Sequence, residues 1–211
     1  EHNTSEYNAG MSISSTNEDV ILNDVEISYN ISTDNQQSDT DEDWWNASDD
    51  YHTAGLRISL PLNSLELNNV QIHDNIVELD VPSWFSQFED DGSFAGEYFV
   101  QYGAGAYGGG LSIIQGSSSI VPIFNNVSVY NNSAPIAGGV FSDGDINISN
   151  LDIYNNHAII AGGIYVNDNP TFENVTIRNN TSDLPGGGLV CSRYNECEIT
   201  FSSTNRSSIY G

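Results

Sequence analysis

Lysine is absent from this chain, and arginine occurs only at Arg57, Arg178, Arg193 and Arg206, against 29 acidic residues. A formal net charge of −25 repels phosphate backbones and anionic headgroups, so nucleic-acid partners are not expected. No apolar run approaches the ~20 residues of a membrane span, so no membrane insertion is expected either. Apolar residues make up 38% of the chain, below the globular norm, with polar residues filling the difference. Disorder would fit that shortfall, but 10% aromatics and a regular apolar pattern argue for a packed core. The chain begins at Glu1 rather than Met, and its pattern is still running at Gly211, so an excerpt of a longer protein is expected.

The pattern is a repeat. Residues 125–132 read NNVSVYNN, 149–156 read SNLDIYNN and 173–180 read ENVTIRNN, with weaker copies at 23–30 (NDVEISYN) and 68–75 (NNVQIHDN). A second phrase puts an aliphatic residue after glycine, at Gly10-Met11, Gly55-Leu56, Gly110-Leu111, Gly139-Val140, Gly163-Ile164 and Gly188-Leu189. Within the first phrase, apolar residues alternate with polar or variable ones, as in Val127/Val129 and Leu151/Ile153. Period two marks a strand with one buried face. The closing Asn moves from Asn132 to Asn156 to Asn180, a step of 24 residues, which suits one coil carrying two or three short strands. The fold expected is all-β, a right-handed parallel β-helix (solenoid) of about six coils in a single domain over 1–211, with equivalent positions stacked ~4.8 Å apart.

In such a coil, Asn30, Asn75, Asn132, Asn156 and Asn180 are predicted to form a ladder of buried amides, each bonding its equivalents above and below. The glycine pairs fit the opposite corner, where a turn at positive φ leaves no room for Cβ. These two phrases resemble the tandem repeats of secreted bacterial right-handed β-helix proteins of the pectate-lyase-like superfamily. They are also similar to repeats of the chlamydial polymorphic outer-membrane proteins. They depart from the chlamydial pattern because Val, Ile or Leu, not Ala, follows the glycine pair, and Phe124 and Phe172 precede their Asn by two residues. The resemblance implies an extracellular or cell-surface location and display, adhesion or carbohydrate work.

Two insertions, about 31–53 and 76–108, interrupt the early coils between the ladder Asn and the next glycine. Equal register places both on one edge, as neighbours. They contain all three tryptophans (Trp44, Trp45, Trp84), together with Tyr51, Tyr98 and thirteen of the acids. Long loops on repeat scaffolds often carry function. Three readings compete: a satellite aromatic core, sugar rings stacked on Trp44, Trp45, Trp84, Tyr51 and Tyr98, and Ca²⁺ held by Asp39, Asp41 and Asp43. The acidic run lacks EF-hand spacing. Asn46 is the most credible acceptor among ten N-x-S/T sequons.

Cys191 and Cys197 suit a small disulfide loop, the alternative being reduced thiols with Cys191 facing inward. Catalysis is disfavoured. Gly-His-Gly and Arg-x-Lys motifs are missing, and the four histidines share no ligand spacing. The outward row Ser28, His73, Tyr130, Tyr154, Arg178 is read as cross-strand packing rather than a glycan platform. The function expected is an extracellular structural or adhesive module, with a glycan or a copy of itself end to end as partner. The alternative is a carbohydrate-binding or polysaccharide-degrading β-helix using the insertions.

Overall fold

A computed structural model describes residues 3–5, 10–14, 18–33, 53–59, 62–78, 108–114, 122–143, 147–167, 169–184, 186–191, 198–201 and 207–210. The described residues form an all-β parallel solenoid without helix. Each of its six coils contributes four strands, where the repeat length alone predicted two or three.

The first face stacks β1 (Thr4–Ser5), β5 (Ile31–Thr33), β9 (Ile76–Glu78), β13 (Ser133–Ile136), β17 (His157–Ile160) and β21 (Thr181–Ser182). The second stacks β2 (Met11–Ser14), β6 (Leu56–Ser59), β10 (Leu111–Ile114), β14 (Val140–Asp143), β18 (Ile164–Val166) and β22 (Leu189–Cys191). The third face is in two halves. One holds β3 (Asp19–Asn23), β7 (Ser64–Asn68) and β11 (Ile123–Asn125); the other holds β15 (Asn147–Ser149), β19 (Thr171–Glu173) and β23 (Thr200–Phe201). The fourth face runs unbroken through β4 (Glu26–Ser28), β8 (Gln71–His73), β12 (Val127–Tyr130), β16 (Leu151–Tyr154), β20 (Thr176–Arg178) and β24 (Ser208–Tyr210).

The alternation read from sequence sets the inside. Leu56, Ile58, Leu111, Ile113, Leu65, Leu67, Ile72, Val129, Ile153 and Ile164 are fully or almost fully buried in one axial core. Phe124 and Phe172 are fully buried on the third face, separated by the smaller Ile148. Alternating large and small residues lets the layers interdigitate.

Sharp corners between faces come from single left-handed residues. Asp24, Asn69, Asn126, Asn150 and Asn174 turn the third face into the fourth, with φ between 50° and 56°. Asp74, Asn131, Asn155 and Asn179 turn the fourth into the first, and Tyr29 takes the same conformation in the first coil. Asn and Asp tolerate this region because their short polar side chains bond locally.

At the glycine corner the expected conformation is misplaced by one residue. Positive φ falls just before the glycine pair, on Gly108, Ala137, Ala161 and Gly186. At Gly110, Gly139 and Gly163 the second glycine of the pair is required by close packing instead. A Cβ on Gly110 would lie 2.8 Å from the Asn132 amide nitrogen, and one on Gly139 2.9 Å from that of Asn156. Glycine and ladder asparagine are two sides of one contact.

On the second face, one core position is a serine. Ser142 aligns with Ile113 and Val166, is fully buried, and its hydroxyl has no hydrogen-bond partner among the described residues. Ser142→Val should stabilise the fold by about 1–2 kcal/mol, by removing an unsatisfied hydroxyl and adding apolar contact. Thermal unfolding of the two proteins side by side checks it. A lower midpoint in the variant would show that the hydroxyl is bonded in solution.

Candidate functional site

The asparagine ladder is present and satisfied along its length. Asn30 donates from Nδ2 to Asn75 Oδ1 at 2.7 Å, Asn75 to Asn132 at 2.9 Å, Asn132 to Asn156 at 3.1 Å and Asn156 to Asn180 at 3.0 Å. The backbone N–H of each donor residue bonds the same oxygen, at 2.9–3.1 Å. The second amide hydrogen points back one coil, from Asn75 to Ile27 O, Asn132 to Ile72 O, Asn156 to Val129 O and Asn180 to Ile153 O, all at 3.0 Å. A sixth member escaped the sequence reading: Asn3 donates to Asn30 Oδ1 at 2.8 Å. Its copy of the repeat lacks the alternating apolar phrase, so only register reveals it.

The inserted segments leave from paired strand ends, since Thr33 aligns with Glu78. They return where Gly55 N–H bonds Gly109 O at 3.0 Å. Their starts and finishes are therefore adjacent. Trp44, Trp45, Tyr51, Trp84, Tyr98, Asp39, Asp41, Asp43, Asn46 and Cys197 lie outside the described residues. Cys191, on the core-facing register of Val166, is disulfide-bonded. Among the described residues no group of three or more His, Cys, Asp or Glu is placed to hold a metal ion.

On the second face, Phe141 and Tyr165 point away from the axis but are 1% and 2% exposed, their rings stacked at 6.0 Å. At the end of β14, burial pushes the Asp143 carboxyl up, opposed by a hydrogen bond from Asn167. A carboxyl raised by folding binds a proton more readily in the native state, so this group lowers stability as pH rises through its folded value. Asp143→Asn should therefore raise the thermal midpoint near neutral pH, with the gain vanishing in acid. Equal midpoints at both pH values would place this carboxylate in open water.

The fourth face carries the most ordered outer surface. His73 stacks on Tyr130 at 4.6 Å and 10°, Tyr130 on Tyr154 at 4.8 Å and 3°, and the Arg178 guanidinium caps Tyr154 at 4.0 Å. Arg178 also bonds Asp152 at 2.9 Å. His73 is buried, with Nδ1 2.7 Å from Asp74 and Nε2 3.2 Å from Glu26. Burial, then the Asp152 carboxylate, pushes the Tyr154 phenol up, while Arg178 pulls it down. These rings stack face to face along the axis, so their faces are already covered by each other. That geometry supports cross-strand packing for the row and leaves only ring edges to a ligand.

Beside this row, at the corner with the third face, an open groove of about 560 Å³ spans three coils. Asn126, Ser128, Asn150, Asp152, Asn174 and Thr176 provide its polar lining. Sequence alone does not mark these residues as one surface, because each belongs to a different copy of an ordinary strand phrase. Only stacking makes them a surface. Of the sequons, Asn3, Asn30 and Asn180 are ladder members, whereas Asn131, Asn147 and Asn179 are exposed.

No protein-family model, curated protein or solved structure matches this chain.

Proposed function

We propose that this chain is an extracellular structural or adhesive module, a stiff β-helical rod. The observation that carries this reading is the amide ladder from Asn3 to Asn180, which ties all six coils together by side chains as well as backbone. Removing any coil leaves buried amides of its neighbours without partners, so the rod resists local opening. Location outside the cell is supported by the disulfide at Cys191, since such bonds persist in oxidising compartments. The test is immunodetection with antibodies against this chain on intact source cells and in their medium. Antigen found only after lysis defeats the proposal. Sizing and electron microscopy of the purified chain at moderate salt test self-association: one-dimensional rods support end-to-end assembly, and a sharp monomer at high concentration removes it.

A second reading, binding of carbohydrate by the insertions, is favoured by the adjacency of their points of departure and return. Saturable polysaccharide binding lost in a Trp44→Ala, Trp84→Ala double variant supports it, and binding unchanged in that variant removes it. Calcium at Asp39, Asp41 and Asp43 predicts faster proteolysis between residues 34 and 50 when a chelator is added. Identical digestion patterns with and without chelator eliminate that metal site.

A further inference from the structure

Tyr130 and Tyr154 are direct partners in the fourth-face register, on the adjacent strands β12 and β16. Their rings lie 4.8 Å apart and within 3° of parallel, and both residues are half-buried, so the ring edges meet solvent. Among the described residues no other two tyrosines stack. The pair is closed at both ends by groups that are not phenols. His73 covers the far face of Tyr130, and the Arg178 guanidinium, held by Asp152, covers that of Tyr154. Tyr29 reaches the row only through His73, and Tyr210 aligns beyond Arg178.

The same two coils are joined less completely elsewhere. The backbone ladder of the third face stops between β11 and β15, while the other three faces continue. At the adjoining corner, Asp24, Asn69 and Asn150 each donate a backbone N–H to the next coil, but among the described residues Asn126 does not. The exposed side-chain ladder breaks there too. Asn126 donates to Asn69 at 2.7 Å and Asn174 to Asn150 at 2.9 Å, with no bond between Asn150 and Asn126. Tyr130 and Tyr154 each follow this seam by four residues in their own coil.

We propose that Tyr130 and Tyr154 are an oxidative cross-linking site, joined as dityrosine by hydrogen peroxide and a haem peroxidase, and that the bond braces the rod across this seam. Each phenol gives up one electron and its O–H proton, leaving a phenoxyl radical whose spin is shared with the ring carbons beside the oxygen-bearing one. A Cε of one ring then bonds a Cε of the other. The hydrogen on each of those carbons leaves as a proton while a proton returns to each oxygen, so both rings end as phenols. The two electrons and two protons removed reduce one hydrogen peroxide to two waters. Radicals formed on these rings are already neighbours, so their coupling needs no diffusional encounter. Exposed side chains change rotamer within picoseconds to nanoseconds, so the half-buried rings can turn to bring their Cε atoms together while the strands stay paired. Elsewhere in the row, His73 or Arg178 stands between one phenol and the next, which confines coupling to this pair. The inference rests on the stack and is independent of the reading of the chain as a surface module.

The test treats the dilute 211-residue chain with a haem peroxidase and hydrogen peroxide. The expected product is a monomer lighter by two hydrogen atoms, with dityrosine fluorescence. Cleavage before Asp143 and Asp152 should leave the peptides holding Tyr130 and Tyr154 joined, as read by mass spectrometry. The thermal midpoint should rise by roughly 5–10 °C, as for other covalent closures of a loop of this length. Tyr130→Phe and Tyr154→Phe keep the stacked rings and should each lose the cross-link, whereas Tyr29→Phe and Tyr210→Phe should retain it. Absence of the joined peptides overturns the proposal, and so does coupling only between separate chains. Undiminished intramolecular dityrosine in Tyr130→Phe or Tyr154→Phe assigns the bond to other tyrosines and equally overturns it. An unchanged midpoint in the cross-linked protein overturns the brace.

Discussion

Asn156→Leu is expected to destabilise the protein by about 4 kcal/mol or more, since each buried polar group left without a partner costs ~1–3 kcal/mol. Asn156 accepts from Asn132 N–H and Nδ2 and donates to Asn180 Oδ1 and Val129 O. Leucine is close to asparagine in size, but its side chain bonds none of these groups; only the backbone N–H of residue 156 still reaches Asn180 Oδ1, and Asn156 itself is fully buried. Asn156→Asp provides a control of almost identical shape. Its carboxylate keeps the acceptors facing Asn132 but places an oxygen where Val129 O and Asn180 Oδ1 need a donor. It should therefore also destabilise, and the loss should shrink in acid as the carboxyl gains a proton. Denaturant unfolding measures both variants. An unchanged midpoint for the leucine variant would mean that the ladder contributes nothing to stability.

Gly139→Ala should cost about 3 kcal/mol, at the upper end of overpacking penalties. The new methyl would sit 2.5 Å from Gly163 O, 2.9 Å from Asn156 Nδ2 and 2.9 Å from Ile153 Cγ2. Gly163 O cannot withdraw, because it accepts the Val140 N–H at 2.9 Å and so belongs to the second-face ladder. Gly188→Ala is the matched comparison. Its methyl would meet only Ile209 Cγ2 at 3.0 Å and Ile177 Cγ2 at 3.9 Å, flexible side-chain ends that can shift. The alanine at 139 should lower the thermal midpoint far more than the one at 188. Equal losses would show that backbone conformation, not contact with the next coil, selects glycine at this corner.

Much of this architecture was legible before any coordinates because a solenoid repeats its local chemistry. Val127, Val129, Leu151 and Ile153 alternate with polar residues on one strand, and that alternation alone says which side is buried. Five of the six ladder asparagines were readable because each closes the same phrase. Asn3 was not, since what identifies it is the pairing of Thr4 with Ile31. The glycine corner was half legible. A repeated glycine announces a place without room for Cβ, but whether φ or a neighbouring coil forbids the methyl depends on what lies one layer away. Ala137 and Ala161 show how far this can mislead, because they occupy the left-handed positions that glycine would be expected to take.

The sequence by itself determined the period, the inward face, the register of the early insertions and the identity of the residues that join coil to coil. Local alternation and repeated side-chain chemistry are properties of neighbouring residues, so they survive in one dimension. The seam between β11 and β15, the axial stack of His73, Tyr130, Tyr154 and Arg178, and the groove lined by Asn126, Asn150 and Asp152 were decided by tertiary structure alone. Each joins residues a whole coil apart, and whether two such residues meet depends on stacking distance and on small differences between copies. Asn126 and Asn150 are the same residue at the same corner, yet only the layer between them shows that their amides fail to join.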